Sequence, residues 1–320
     1  MSRPKPYSLT AALEPESLVT PFARLLRPRT DGATVRIALL SDTHVAVGAE
    51  ATPRKVFHRT GGLLERAVAD ANRRGVDRIV FAGDLTKDGH PEEFARFDEC
   101  VEGADAPLLA VPGNHDVPKE GDDHETPPLS RFARRYAPEL PFRHCVGPVD
   151  LIGLNSAENT DGALSGVHHG QVSAEQLDWL DRTLGRAAIP LVVVHHNPLS
   201  LPQVTDRATE WPWHVYRHAD PTSFLSLLED HDVPLLLTGH QHVPSLSHEN
   251  GLAQVIAPAL ASYPLSYLLV EIGPSGTTLT LVPVATSEVL CEAYENAAAG
   301  EAHHRAMLSY TDETLRSLPF

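Results

Sequence analysis

"VRIALLSDTH", Val35 to His44, decides how the rest of the chain is read. Val35–Leu40 has the length and apolar content of a buried strand. Asp42 and His44 follow where that strand hands over to a loop. Two residues apart in an extended segment, their side chains would project to one side and could reach one ion together.

The pattern repeats outward from this stretch. "GGLLERAVADANRRG" places Leu63, Leu64, Ala67, Val68 and Ala71 on one helical face before Gly75 ends it. "DRIVFAGD" supplies a second strand, "PEEFARFDECVEG" a helix with Phe94, Phe97 and Val101 inward, and "PLLAVPGNHD" a third strand. This alternation implies a largely parallel sheet with right-handed crossovers. Further on, "DLIGLNS" and "PLVVVHHNP" flank "SAEQLDWLDRTLGR", which opens with the Ser173 to Gln176 spacing of a capping box and stripes Leu177, Leu180 and Leu184. The helix-like "PTSFLSLLEDH" precedes the strand-like "PLLLTGHQH", and "SYLLVEIG" with "TTLTLVPV" reads as a hairpin closing the sheet system. Three regions follow: a leader, 1–34, whose five prolines imply irregular structure packed outside; a main domain, 35–286; and an Ala/Glu-rich tail, 287–320, expected to be helical and peripheral.

Composition narrows the function classes. The 320 residues are 42% hydrophobic, with no apolar run long enough to span a bilayer and no signal-like N-terminus, which leads us to expect a cytoplasmic protein. Cys100, Cys145 and Cys291 have no CxxC spacing, so each reads as a small buried hydrophobe rather than a disulfide or thiolate-zinc element. With 42 acidic against 26 basic residues the net charge is -16, and the basic residues, nearly all arginine, read as scattered. Nucleic acid and anionic membrane are therefore disfavoured as partners, and a homodimer is left open.

Polar residues cluster after each apolar run. Asp42 and His44 follow Leu40, Asp84 follows Ala82, and Asn114, His115 and Asp116 follow Val111. His195 and His196 follow Val194, and His240 and His242 follow Leu237. The loops at strand ends are where open α/β sheets bind ligands. Carboxylates, imidazoles and one amide oxygen, without thiolates, suit manganese, iron, cobalt or zinc. Asp42, His44, Asp84, Asn114, His195, His240 and His242 exceed the needs of one ion and suggest two divalent metal ions sharing a carboxylate.

In this order "SDTH", "GDLTKDG", "GNHD", "VVVHHNP" and "GHQH" resemble the calcineurin-like metallophosphoesterase superfamily, whose signature is DxH, GDxxxxxG, GNH[DE], a lone His after a strand, and GHxH. "GVHHGQVSAEQLDWLDRTL" and "YPLSYLLVEI" are similar to its class III cyclic-nucleotide phosphodiesterase branch, although Asn197 stands where that branch commonly has proline. The resemblance implies a four-layer α/β/β/α sandwich with two facing mixed β-sheets flanked by helices. It assigns Asp42, His44 and His242 to one ion, Asn114, His195 and His240 to the other, and Asp84 to both. His115 would stand near the leaving-group oxygen, oriented by Asp116, and His196 would lie on the substrate side.

The implied reaction is hydrolysis of a small phosphodiester, foremost a 3',5'-cyclic nucleotide, by a hydroxide held between the ions. A phosphomonoester, a glycerophosphodiester, a nuclease activity and a non-catalytic scaffold are the alternatives. Trp211 and Trp213, with Tyr216, could cap the site and stack on a base, and the acidic loop 117–128 is expected to border the cleft. His168, His169, His214, His218, His248, His303 and His304 match no motif and read as surface or loop residues.

Overall fold

The structure, a computed structural model, describes residues 19–318 except 120, 121, 123, 138 and 205–216. The strand over Val35–Leu40 (β2) sits inside a six-stranded sheet. It pairs in parallel with β3 (Arg78–Ala82), which pairs in parallel with β4 (Leu108–Val111). The crossovers are α1 (Thr60–Arg74) and α2 (Pro91–Val101), each burying the apolar face read from its sequence. On the other side of β2 runs β11 (Ser266–Gly273), antiparallel, followed by β12 (Gly276–Pro283) and, at the edge, β1 (Thr20–Leu25). The late hairpin β11–β12 therefore enters the sheet beside its central strand instead of closing it.

A second six-stranded sheet runs in the order β5 (Phe142–Val146), β6 (Val149–Gly153), β7 (Pro190–Val193), β8 (Leu235–Thr238), β10 (Leu252–Ile256), β9 (Ser245–Glu249). Its strands β6, β7, β8 and β10 are parallel, with antiparallel strands at both edges. Alternate residues of a strand face opposite sides. Leu191, Val193, Leu235 and Leu237 accordingly join the core shared with the first sheet, while Val192, Val194 and Leu236 pack with Leu180, Leu184, Phe224 and Leu228 of α4 (Ala174–Leu184) and α5 (Thr222–Asp230). The result is the four-layer sandwich of two facing mixed sheets.

Several expectations need correction. The leader prolines do not keep residues 20–25 irregular: Pro21 is accommodated because β1 is an edge strand with a register irregularity between Pro21 and Ala23, and Phe22 and Leu25 turn into the core. Ser173 is the N-cap of α4 but makes no capping bond, because Gln176 turns to Asn155, accepting its N–H at 2.9 Å and donating to its carbonyl at 2.7 Å. The tail is helical, α6 (Ser287–Ala299) and α7 (Ala302–Ser317), but not peripheral. Ala306, Met307 and Tyr310 of α7 are buried against Val243, immediately after the "GHQH" loop. β5, β9, β10 and α3 (Leu129–Tyr136) have no counterpart in the reading above. Cys100 is buried, but Cys145 is exposed and Cys291 half-buried. Among the described residues no helix is long and apolar enough to cross a membrane.

Candidate metal centre

The loops that follow β2, β3, β4, β7 and β8 converge. Asp42 Oδ2 accepts the backbone N–H of His240 at 2.9 Å, and His195 Nδ1 donates to the carbonyl of Ala82 at 2.7 Å, which ties the two sheets together at this edge. Asp42, His44, Asp84 and His242 bring four buried donor atoms within 4.8 Å of one another, and His195, His196 and His240 form a second such group. Asp84, a member of the first group, also faces the second: its Oδ2 lies 3.4 Å from His44 Nε2 and its Oδ1 3.4 Å from His195 Nε2. Asn114 is buried between Gly113 and His115, and the backbone N–H of His115 donates to Asp84 Oδ1 at 2.9 Å.

The backbone that delivers these side chains is not extended. Asp42 (φ 50°), His44 (φ 41°), Asp84 (φ 54°), His240 (φ 70°) and His242 (φ 63°) are all left-handed. The expectation that Asp42 and His44 meet by strand alternation is therefore wrong. In both D-x-H and H-x-H, two left-handed residues turn their side chains to the site while the middle residue points into the scaffold. Thr43 Oγ1 donates to the Leu85 carbonyl at 2.7 Å, and Gln241 Nε2 to Asn197 Oδ1 at 3.0 Å. Each such residue costs about 1–2 kcal/mol, so the surrounding strands must over-determine the loops. The glycines allow the approach: a Cβ on Gly113 would lie 2.1 Å from Asp84 Oδ1, and one on Gly239 1.9 Å from Ser41 Oγ.

The donor chemistry fits divalent cations. Asp42 Oδ1 and Asn114 Oδ1 are buried and accept no hydrogen bond, an arrangement that costs free energy unless a cation meets them. Facing imidazole nitrogens stand 3.1 Å apart twice, His44 Nε2 against His242 Nε2 and His195 Nε2 against His240 Nδ1, distances that require a proton or a metal between them. The remaining nitrogens are held from behind. His195 is backed by Ala82, His240 Nε2 by the His168 carbonyl at 2.8 Å, His242 Nδ1 by Ser262 Oγ at 2.7 Å, and His44 Nδ1 by Lys55 Nζ at 3.4 Å. Such partners fix the ring a metal would use. Burial alone would lower the His195 pKa, but the Asp84 carboxylate raises it to about 9, whereas burial holds His44, His240 and His242 well below the ordinary imidazole value. Burial and the neighbouring Arg54 charge bring the Lys55 ammonium down to about 7.

His115 stacks edge-on to His44 with ring centres 4.7 Å apart, and its Nδ1–H is bonded to the Lys87 carbonyl. Burial lowers this imidazole to about 3, opposed by Asp84 and reinforced by Lys55 and Lys119. Asp116 does not orient His115. Its carboxylate accepts the N–H groups of Leu85 (3.1 Å), Thr86 (3.0 Å) and Gly113 (3.0 Å) and the Thr86 hydroxyl (2.9 Å), cross-bracing the loops after β3 and β4. His196 joins the second histidine group without touching Asp84. Ser156 Oγ faces its Nδ1 at 2.9 Å, and its Nε2 is buried without a hydrogen-bond partner.

Asn197, at the position of the branch's proline, links the loops after β7 and β8 through Gln241. Trp211, Trp213, Tyr216 and His214 lie outside the described residues. His218 is buried, not at the surface, and stacks on Phe224 with ring centres 5.3 Å apart. The sequence reading missed Ser262, Ser156, the His168 carbonyl, Lys55 and Lys119 around the site. For the lysines a signal existed in their rarity; backing atoms contributed by a carbonyl or a lone serine leave none.

The sequence model of the calcineurin-like phosphoesterase family matches residues 35–244. A Synechococcus protein named probable cyclic nucleotide phosphodiesterase is 27% identical over 260 residues, 77% of this chain and 91% of that protein. A Mycobacterium tuberculosis protein named cAMP/cGMP dual specificity phosphodiesterase is 30% identical over 246 residues, 72% of this chain and 68% of its own. Among solved structures, a dimetal phosphatase from Danio rerio superposes with a TM-score of 0.59 at 14% identity, covering 78% of this chain and 99% of that one, a likeness of fold.

Proposed function

The chain belongs to the calcineurin-like phosphoesterase family, and from that premise we propose that it is a two-metal phosphodiesterase acting on a small phosphodiester, foremost a 3',5'-cyclic nucleotide. The observation that carries this reading is the pair of buried donor groups that Asp84 faces from both sides, together with two buried acceptor oxygens, Asp42 Oδ1 and Asn114 Oδ1, that have no hydrogen bond. The names of the relatives support the cyclic-nucleotide substrate.

In this assignment Asp42, His44 and His242 would hold one ion, Asn114, His195 and His240 the other, and Asp84 would serve both. A pair of divalent cations, of which manganese, iron, zinc and cobalt suit these donors, supplies Lewis-acid polarisation of the phosphoryl group and a nucleophilic water at neutral pH. The chain's own residues do the rest. His115, with Nδ1–H tied to the Lys87 carbonyl, would present Nε2 to the leaving oxygen, and giving that oxygen a proton would require the ring to be protonated at Nε2 first. His196, with Nδ1 facing Ser156, has Nε2 left to hydrogen-bond an incoming substrate. Asp116 holds the two loops that carry Asp84 and His115 at a fixed separation.

The test is hydrolysis of bis-p-nitrophenyl phosphate, p-nitrophenyl phosphate and cyclic AMP by purified protein with added manganese. Metal-dependent turnover of the diesters exceeding that of the monoester is expected. A monoester preference would move the assignment to phosphatase, and absence of metal-dependent turnover of all three would overturn it.

A further inference from the structure

The basic residues are not uniformly scattered. The chain contains four lysines, Lys5, Lys55, Lys87 and Lys119, and arginine supplies every other basic position in a protein of net charge -16. The three described lysines come from three separate loops and meet on one side of the crevice. Lys119 Nζ is 3.3 Å from His115 Nδ1, and the ammonium groups of Lys55 and Lys87 stand 5.6 and 5.4 Å from the centre of the Phe57 ring. Asp88 pairs with both Lys87 and Lys119, so one carboxylate serves two cations. Asp122 meets Lys119 at its backbone N–H. The loop carrying Lys87 is itself fixed, since Glu93 accepts the N–H groups of Asp88 at 2.8 Å and His90 at 3.3 Å.

The position of these lysines separates their role from that of the metal pair. His44 turns Nε2 to Asp84 and His242 and Nδ1 to Lys55, and His115 likewise meets Lys119 at Nδ1. Lys55 and Lys119 therefore stand one imidazole away from the donor cluster, and Lys87 stands beside them against Phe57 and Asp88. Lysine is a compact charge on a flexible stem, suited to a phosphate of variable position. The side chains of Lys87 and Lys119 remain 30% and 21% exposed, open to a ligand.

We propose that Lys87 and Lys119 form a second anion site that takes a phosphate group of the substrate other than the one cleaved. The substrate class is then a small phosphodiester carrying an additional phosphate monoester. This rests on the phosphodiesterase reading and deepens it.

The experiment measures binding of adenosine 5'-monophosphate and adenosine 3',5'-bisphosphate to the manganese-loaded full-length protein by calorimetry. It compares wild type, K87Q/K119Q and the charge-retaining K87R/K119R, with manganese-dependent hydrolysis of bis-p-nitrophenyl phosphate followed in the same samples. Wild type should bind the bisphosphate about tenfold more tightly than the monophosphate. K87Q/K119Q should bind the two alike, and K87R/K119R should recover the preference. Equal affinities in wild type, or a preference that survives in K87Q/K119Q, would overturn the anion site. Diester turnover without the preference removes the anion site alone, whereas the preference without turnover keeps it and removes the phosphodiesterase reading.

Discussion

The two halves of the candidate centre are held by different means. In the half assigned to Asn114, His195 and His240, both imidazoles are backed by main-chain carbonyls, those of Ala82 and His168. In the half built from Asp42, His44 and His242, the backing groups are side chains, the Ser262 hydroxyl and the Lys55 amine. A carbonyl fixes one tautomer and cannot be removed by substitution, whereas a hydroxyl or an amine can donate or accept. The first arrangement specifies a rigid site and the second an adaptable one. Asp84 is the group they share.

Substitutions should separate the halves in a definite order. Asp84→Ala removes the shared carboxylate, and phosphodiesterase turnover should fall about 1,000-fold or more, with metal lost from both positions in elemental analysis. Asn114→Ala should lower turnover about 100-fold, with one ion retained, since it empties only the carbonyl-backed half. Retention of both ions would remove Asn114 from the ligand set. Ser262→Ala should weaken metal binding in the side-chain-backed half about tenfold, measured by manganese titration, while the other half keeps its affinity. An unchanged titration would show that Ser262 does not support His242.

The smallest effect concerns the scaffold. Asp116→Ala leaves the Leu85, Thr86 and Gly113 N–H groups without their acceptor and should lower stability by about 2–3 kcal/mol, read by denaturant unfolding. Turnover should also fall at temperatures where the fold is intact, because the loops carrying Asp84 and His115 lose their brace.

The parts of this site that were legible in the sequence are those where a strand ends and polar residues begin, because apolar periodicity marks the strand and residue type marks the donor. Asp42, Asp84 and His240 stand out for that reason. Their left-handed backbone was not legible, since Asp and His carry no strong mark for it and extended geometry seemed sufficient to pair Asp42 with His44. The edge strand over Thr20–Leu25 was hidden because proline excludes a residue from a central strand but not from an edge. The burial of α7 was hidden for another reason: Met307 and Tyr310 find their partner Val243 only in three dimensions. Likewise nothing in local sequence says that Lys55, Lys87 and Lys119 face one crevice.

The central claim is one centre of two ions bridged by Asp84. It is tested most directly by the manganese content and spin coupling of the loaded protein, followed by electron paramagnetic resonance in wild type and Asp84→Ala. Two ions per chain with exchange coupling, absent in the variant, is the expected result. A single uncoupled ion in fully active wild type would contradict the account.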